Sequence, residues 1–347
     1  VTNFDVVEYI LTNSPFIFGP GKLKVSFFNN FMPDNLGISF PDKWKSRRTF
    51  NERILNTDKK YHDLYPNIQK IVSTELLVFF NSEENINFEN LTYHARNIAM
   101  EIIFGYKDVK IYEIFTDTNS ISKIIFSEKK THCIISEYIS KSTRKNSFIS
   151  LITDDDFSKD DILKVVNQVP HWLFPMTGLI NVMFLRMLYL LFTSDWKCPE
   201  INSLDDPILD NIVFESLRLN NPVLTFFRKC LEKTKFKIDS ENDIIFEKDE
   251  EILILSNPLL RDPNIFKDPN TFNPDRWKDS SLFRYLIMFG LSHQTCPGKN
   301  LSLLILKISL LTTLSHLKDT GKKIQFERLF PNNDIYDTIN VHKIKSI

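Results

Sequence analysis

A cysteine set between a polar loop and an apolar helix constrains this chain more than any other feature. The stretch Phe289-Gly290-Leu291-Ser292-His293-Gln294-Thr295-Cys296-Pro297-Gly298 leads into the run Leu301-Ser302-Leu303-Leu304-Ile305-Leu306-Lys307-Ile308. Pro297 fits the first helical position, where a missing N–H costs nothing. Cys296 then stands where free backbone N–H groups and the positive end of a helix dipole converge, which lowers a thiol's pKa. Such a residue is either a metal-ligating thiolate or a structural thiol, and the loop alone does not separate the two. The other cysteines, Cys133, Cys198 and Cys230, lie far apart. No pair has zinc-type spacing, and so few in a long chain point to a reducing compartment.

Four segments upstream bear on that choice. In Phe214-Glu215-Ser216-Leu217-Arg218-Leu219, the acid and the arginine lie one above the other on a helix face. Another arginine follows in Phe272-Asn273-Pro274-Asp275-Arg276-Trp277. A buried carboxylate needs partners, and guanidinium forks supply a geometry that lysine cannot. Asp42-Lys43-Trp44-Lys45-Ser46-Arg47-Arg48 pairs a tryptophan with an arginine one helical turn later, and by itself reads equally as a solvated basic face. Asn221-Pro222-Val223-Leu224-Thr225-Phe226-Phe227-Arg228 reads as a turn and a strand, on which Arg228 is either a ligand or a strand-edge charge.

Each segment alone is ordinary; their order is not. From Trp44 to Lys307 the chain resembles the cytochrome P-450 family. Phe289, Cys296, Pro297 and Gly298 fit that family's cysteine loop, while Ser292 replaces its glycine and Gln294 its basic residue. The resemblance implies haem b with Cys296 as axial thiolate, flanked by Phe289 and Gly298. Trp44, Arg48 and Arg228 would hold the propionates, joined by His293 if its ring turns toward the haem. Glu215, Arg218 and Arg276 would form a buried triad that makes no bond to haem. The implied fold is mainly α with small β-sheets (α+β), one large domain over residues 1–347. Family members have a further sheet segment and helix before the point where this chain opens, and many carry a membrane anchor there. The expectation is therefore a segment preceding Val1, with membrane association unknown and the residues given intracellular and soluble.

Composition agrees. Hydrophobic residues make up 42% of 347, enough for a large core, and no linker-like composition divides the chain. A formal net charge of −1 argues against nucleic acid as the main partner. Periodicity predicts helices over Phe4–Leu11, from Trp44 through Phe50 to Leu55, over Tyr65–Phe80 and over Leu91–Phe104. Strands are expected at Ile244–Phe246, Glu251–Leu255 and Lys323–Phe326. Asp154-Asp155-Asp156 reads as a solvated loop, with Ser158 and Asp161 giving an N-cap signal.

The apolar stretch from His171 to Phe192 is long enough to cross a bilayer. Asn181, Arg186, Pro170 and Pro175 favour a central helix of a soluble core instead. In the family such a helix lies over the haem and carries an acid followed by threonine for proton delivery. The nearest placement here is Phe174-Pro175-Met176-Thr177-Gly178, with Thr177 as the candidate catalytic residue and no carboxylate beside it. Pro175 removes one N–H and predicts a bend. The resemblance implies a monooxygenase that takes electrons from a reductase or ferredoxin and hydroxylates a small apolar substrate. A thiolate ligand favours O–O cleavage in such chemistry. Peroxide-driven oxidation, rearrangement of a hydroperoxide, and a non-catalytic haem- or ligand-binding relative are the alternatives. Lys43, Lys45, Arg47 and Lys299 would form a basic patch for an acidic electron donor.

Overall fold

The computed structural model describes residues 1–29, 32, 34–82, 85–86, 88–108, 128–142, 145–152, 162–238, 240, 242–326 and 344–346. The predicted loop at Asp154–Asp156 and the N-cap pair Ser158 and Asp161 lie outside these residues. Helix α1 (Phe4–Thr12) is capped by Asn3, whose side chain accepts the Val6 N–H, and buries Phe4, Val6, Val7, Ile10 and Leu11. Strand β1 (Phe18–Pro20) and the short helix α2 (Lys22–Asn29) follow; α2 buries none of its residues.

Helix α3 (Pro41–Leu55) opens on a proline, carries Asp42 in its first turn and ends at Asn56 in the left-handed conformation. Its sequence is polar apart from one stripe. Trp44, Arg48, Asn51, Ile54 and Leu55 recur at helical spacing and form the buried face. Helices α4 (Tyr65–Ser82) and α5 (Phe88–Phe104) cover the predicted segments, each starting or ending within three residues of expectation. Strand β2 (Asn85–Ile86) lies between them and α6 (Glu128–Lys141) comes after.

The long apolar stretch forms one continuous helical path with a defect in the middle. Helix α7 (Ile162–Phe174) runs into a π-helical turn at Pro175–Leu179 and continues as α8 (Ile180–Thr193). The Ile180 N–H donates to the Pro175 carbonyl, five residues back. A proline that cannot donate is accommodated by widening the turn, so the predicted bend takes the form of a π-bulge, a feature often found at functional sites.

Helix α9 (Pro207–Leu219), capped by Asp206, carries Glu215 and Arg218. Next come β3 (Thr225–Cys230), the hairpin β4 (Thr234–Lys237) and β5 (Asp243–Phe246), and β6 (Glu251–Leu255), which runs into the five-residue helix α10 (Ser256–Leu260). Strands β1, β3 and β6 form an antiparallel sheet in which Pro20, Arg228 and Ile252 lie in register. Arg228 and Cys230 alternate inward on β3, as a period of two requires. Helix α11 (Lys299–Thr320) is followed by β7 (Ile324–Phe326), which pairs with β8 (Ile344–Ser346).

Pro297 is not the first helical residue. It lies in the turn, Gly298 is the N-cap and the helix begins at Lys299. The helix buries Leu301, Leu303, Leu304, Ile305, Leu306, Ile308 and Leu310. At roughly 1.5–3 kcal/mol per buried aliphatic side chain, this packing fixes the cysteine loop at its N-terminus.

Among the described residues, Val165–Thr193 and Lys299–Thr320 are long and apolar enough to cross a membrane, and 44% and 61% of their apolar windows are buried within the molecule. One cluster of buried residues runs through both and through α1, α4, α5 and α9. A polar seam joins α7 to α3. Trp172 Nε1 donates to Asn51 Oδ1 at 2.8 Å, and Asn51 Nδ2 to Gln168 Oε1 at 3.0 Å. Gln168 in turn holds the segment before α3, accepting from the Leu36 N–H and donating to the Asp34 carbonyl. The helix bearing Arg48 is thereby registered against the helix with the π-bulge.

Candidate functional site

The cysteine loop is built on backbone geometry before any side chain contributes. Gly290 has φ +71°, and a Cβ there would sit 2.5 Å from the Gln294 carbonyl oxygen, so no other residue fits. This folds the loop so that the Cys296 N–H donates to the Phe289 carbonyl at 2.6 Å. Ser292, where the resembled pattern has glycine, takes φ +51°. A serine thus holds a left-handed conformation that glycine tolerates best.

Cys296 keeps part of its surface open, but its sulfur lies deep within the molecule. Burial pushes the thiol pKa up, against the Gly298 N–H and the charges of Arg48, Lys299 and Lys24, which pull it down. This corrects the expectation of a lowered pKa: one N–H and distant cations do not offset the loss of water. A thiol in this position becomes a thiolate when a metal takes the proton's place. Cys133 is exposed and Cys198 partly buried, and Cys230 is buried with its sulfur against the Glu232 carbonyl.

Trp44 and Arg48 rise from α3 beside the loop. Arg48 Nε bonds Glu52 Oε1 at 2.6 Å, and its Nη1 donates to the Thr295 carbonyl, next to Cys296. Trp44 is buried, edge-on to His293 at 6.3 Å and to Phe16 at 5.8 Å. His293 itself is exposed. A cavity of about 360 Å³ lies here, lined among others by Trp44, Arg48, Glu52 and His293. A larger one of about 620 Å³, between the α3–α4 connection, α9 and α11, has Lys307 and Asp210 already paired in its wall and none of the predicted site residues. Phe289 is half-buried with Lys299 Nζ 5.8 Å above its ring, and Gly298 caps α11.

Arg228 arrives from the sheet. It is buried, donating to Ser14 Oγ and to the Phe227 carbonyl, with no carboxylate bound among the described residues. Burial lowers its pKa to about 10. A buried guanidinium left without a counter-charge costs stability unless an anion completes it. With a soft sulfur donor behind a glycine-shaped loop, this donor set fits haem, which brings an iron for the sulfur and two propionates for the cations.

The triad forms as the resemblance implied. Glu215 and Arg218 are fully buried, with Arg218 Nε and Nη2 on the two carboxylate oxygens at 2.9 and 2.8 Å. Arg276 Nε reaches Glu215 Oε1 at 3.0 Å, and Trp277 Nε1 and the Asn273 N–H add two further bonds at 3.0 Å. Thr177 lies in the π-turn, where its hydroxyl donates to the Leu173 carbonyl at 2.9 Å. The expected basic patch is broken up. Arg47 is committed to Asp34, Lys43 approaches the same carboxylate at 3.8 Å, and Lys299 is drawn inward, where burial lowers its pKa.

Two residues were not visible in the sequence. Lys24 on α2 and His171 on α7 both point at Gly37. A Cβ on that glycine would lie 3.6 Å from Lys24 Nζ and 3.5 Å from His171 Cε1. No motif marks either; only the tertiary fold places α2 against α7.

Residues 194–327 match the cytochrome P-450 family model. A probable cytochrome P-450 of Dictyostelium discoideum is 22% identical over 93% of this chain and 78% of its own length. The C-terminal part of this chain, residues 194–327, is similar to the cytochrome P-450 family. Locally the similarity is higher: a Euphorbia lathyris cytochrome P-450 is 35% identical over 36% of this chain and 25% of its own. A C-22 sterol desaturase of Candida albicans is 29% identical over 36% of this chain and 26% of its own. In these and other local matches the chain spans about a quarter of the curated relatives' own length. The matched region contains the triad, Arg228 and the cysteine loop, so the motif order and the family agree.

Proposed function

We propose that this chain is the haem-thiolate domain of a monooxygenase that hydroxylates a small apolar molecule, with dioxygen and with electrons from a reductase or ferredoxin. The supporting observation is Cys296: one cysteine, behind a positive-φ glycine and ahead of a buried helix, within reach of the charges of Arg48, Lys299 and Lys24. Haem b bound there would supply oxygen activation, with an overall balance of substrate, dioxygen, two electrons and two protons giving alcohol and water.

The chain's own residues have distinct tasks in this reading. Cys296 ligates the iron, and the Gly298 N–H steadies the sulfur. Trp44, Arg48 and Arg228 hold the propionates, while exposed His293 braces Trp44 through its ring edge. Phe289 and Gly298 shape the loop. Thr177 supplies a hydroxyl within the π-bulge, and a proton path through it would first break its bond to Leu173. Lys45 is an exposed cation on α3, open to an electron donor.

The test is the ferrous–carbon monoxide spectrum of haem-loaded protein. A strongly red-shifted Soret band, lost in Cys296→Ala and kept in Cys133→Ala, Cys198→Ala and Cys230→Ala, is expected. An unshifted wild-type band refutes thiolate ligation. Turnover with a reductase and NADPH, compared with peroxide alone, then decides the electron source; oxidation with peroxide only removes the monooxygenase assignment.

A further inference from the structure

The cations around Cys296 outnumber the roles that the site assigns to them. Arg48 spends its charge on Glu52 and on the Thr295 carbonyl, and Arg228 stands without a carboxylate. Lys24 is a further one. Its ammonium is deeply enclosed, within electrostatic reach of Arg228 and Cys296, and no acid pairs with it among the described residues. Burial, then the Arg228 charge, lower its pKa to about 7, and His171 beside it is held down to about 4 by burial and by Lys24. An ammonium on an otherwise solvent-facing helix turns inward at a cost, which an anionic ligand would offset.

The surroundings give that ligand a shape. Phe28 follows Lys24 by one turn of α2, and Phe174 follows His171 by one turn of α7; the two rings meet edge-on with centroids 6.4 Å apart. Phe174 is nevertheless 40% exposed. Two helices therefore present a polar pair and, one turn along, an apolar pair. Gly37 contributes no side chain to the gap between Lys24 and His171. We propose that Lys24 and His171 form a carboxylate-binding site whose apolar continuation is Phe28 and Phe174. Two sources carry this chemistry: the acid head of an alkyl carboxylic acid substrate, or a propionate of the haem. The inference rests on the haem-thiolate reading and names what that site recognises.

The experiment uses the haem-loaded full chain, with the ferrous–carbon monoxide band recorded first. A missing thiolate band sinks the parent reading, whatever Lys24 does. With the band present, spectral titrations with dodecanoate and with dodecanol are compared in wild type, Lys24→Met, Lys24→Arg and His171→Phe, alongside haem transfer to apomyoglobin. Weaker dodecanoate binding in Lys24→Met, by about tenfold or more, with dodecanol unchanged and Lys24→Arg restored, identifies a substrate acid. Faster haem transfer in Lys24→Met, restored in Lys24→Arg, identifies a propionate. Lys24→Met with unchanged haem transfer and unchanged preference for the acid over the alcohol overturns the carboxylate site. Lys24 lies on a helix none of whose residues is fully buried, so Lys24→Met and Lys24→Arg leave the core intact.

Discussion

Removing Arg276 tests whether the triad is scaffold rather than chemistry. Its guanidinium bonds Glu215 Oε1 at 3.0 Å and donates to the Lys267, Asp268 and Thr271 carbonyls, with 7% of the side chain exposed. Glu215 is fully enclosed, so Arg276→Ala leaves a buried carboxylate with one guanidinium instead of two, and strips three carbonyls of a donor. Breaking a buried pair in this way costs about 3–5 kcal/mol. That is a large part of a domain's usual margin of roughly 5–15 kcal/mol. Arg276→Lys keeps the charge but not the fork that spans carboxylate and carbonyls, so it should fall between wild type and alanine. The control is Lys59→Ala, which breaks the exposed pair with Asp63 at 2.6 Å and should cost less than about 1 kcal/mol. Urea unfolding of the haem-loaded protein, followed by far-ultraviolet circular dichroism and by Soret absorbance, ranks the three. A soluble Arg276→Ala with full haem content and a midpoint within error of Lys59→Ala would show that the triad does not hold this region together.

Three further outcomes follow from the geometry. Arg228→Ala and Arg48→Ala should each speed haem loss to apomyoglobin while the remaining holoprotein keeps its thiolate band; unchanged rates in both would remove the propionate assignments. Ser292→Gly should stabilise the protein by up to about 1 kcal/mol, the left-handed penalty less the backbone freedom glycine gains in the unfolded chain, and a loss of stability would contradict the role given to its φ of +51°. Burial acts to raise the pKa of Glu75, but hydrogen bonds from His94, Lys107 and Asn97 hold it down to about 2, from an ordinary 4.5. Its stabilisation is therefore complete above about pH 4.5 and fades as pH falls toward 2, so Glu75→Gln should flatten the acid limb of the stability curve; an unchanged limb would exclude the cluster.

The sequence by itself determined the elements whose signals are local. Trp44 and Arg48 one turn apart, continued by Phe50 to Leu55, gave α3, and the cysteine loop announced the helix after it, whereas the inward turn of Arg228 was left open until the sheet placed it. Glu215 and Arg218 were certain to share a helix face because they are three residues apart. Three outcomes needed the tertiary structure. Whether Cys296 is acidified depends on how much water the fold removes from its sulfur, and enclosure outweighs the helix terminus. The expected basic patch depended on where Asp34 falls, and that residue takes Arg47 and draws Lys43. Lys24 and His171, 147 positions apart in the chain, meet only because α2 lies against α7. Local chemistry is written in spacing, whereas a pKa or a binding pocket is set by what the folded chain brings from far away.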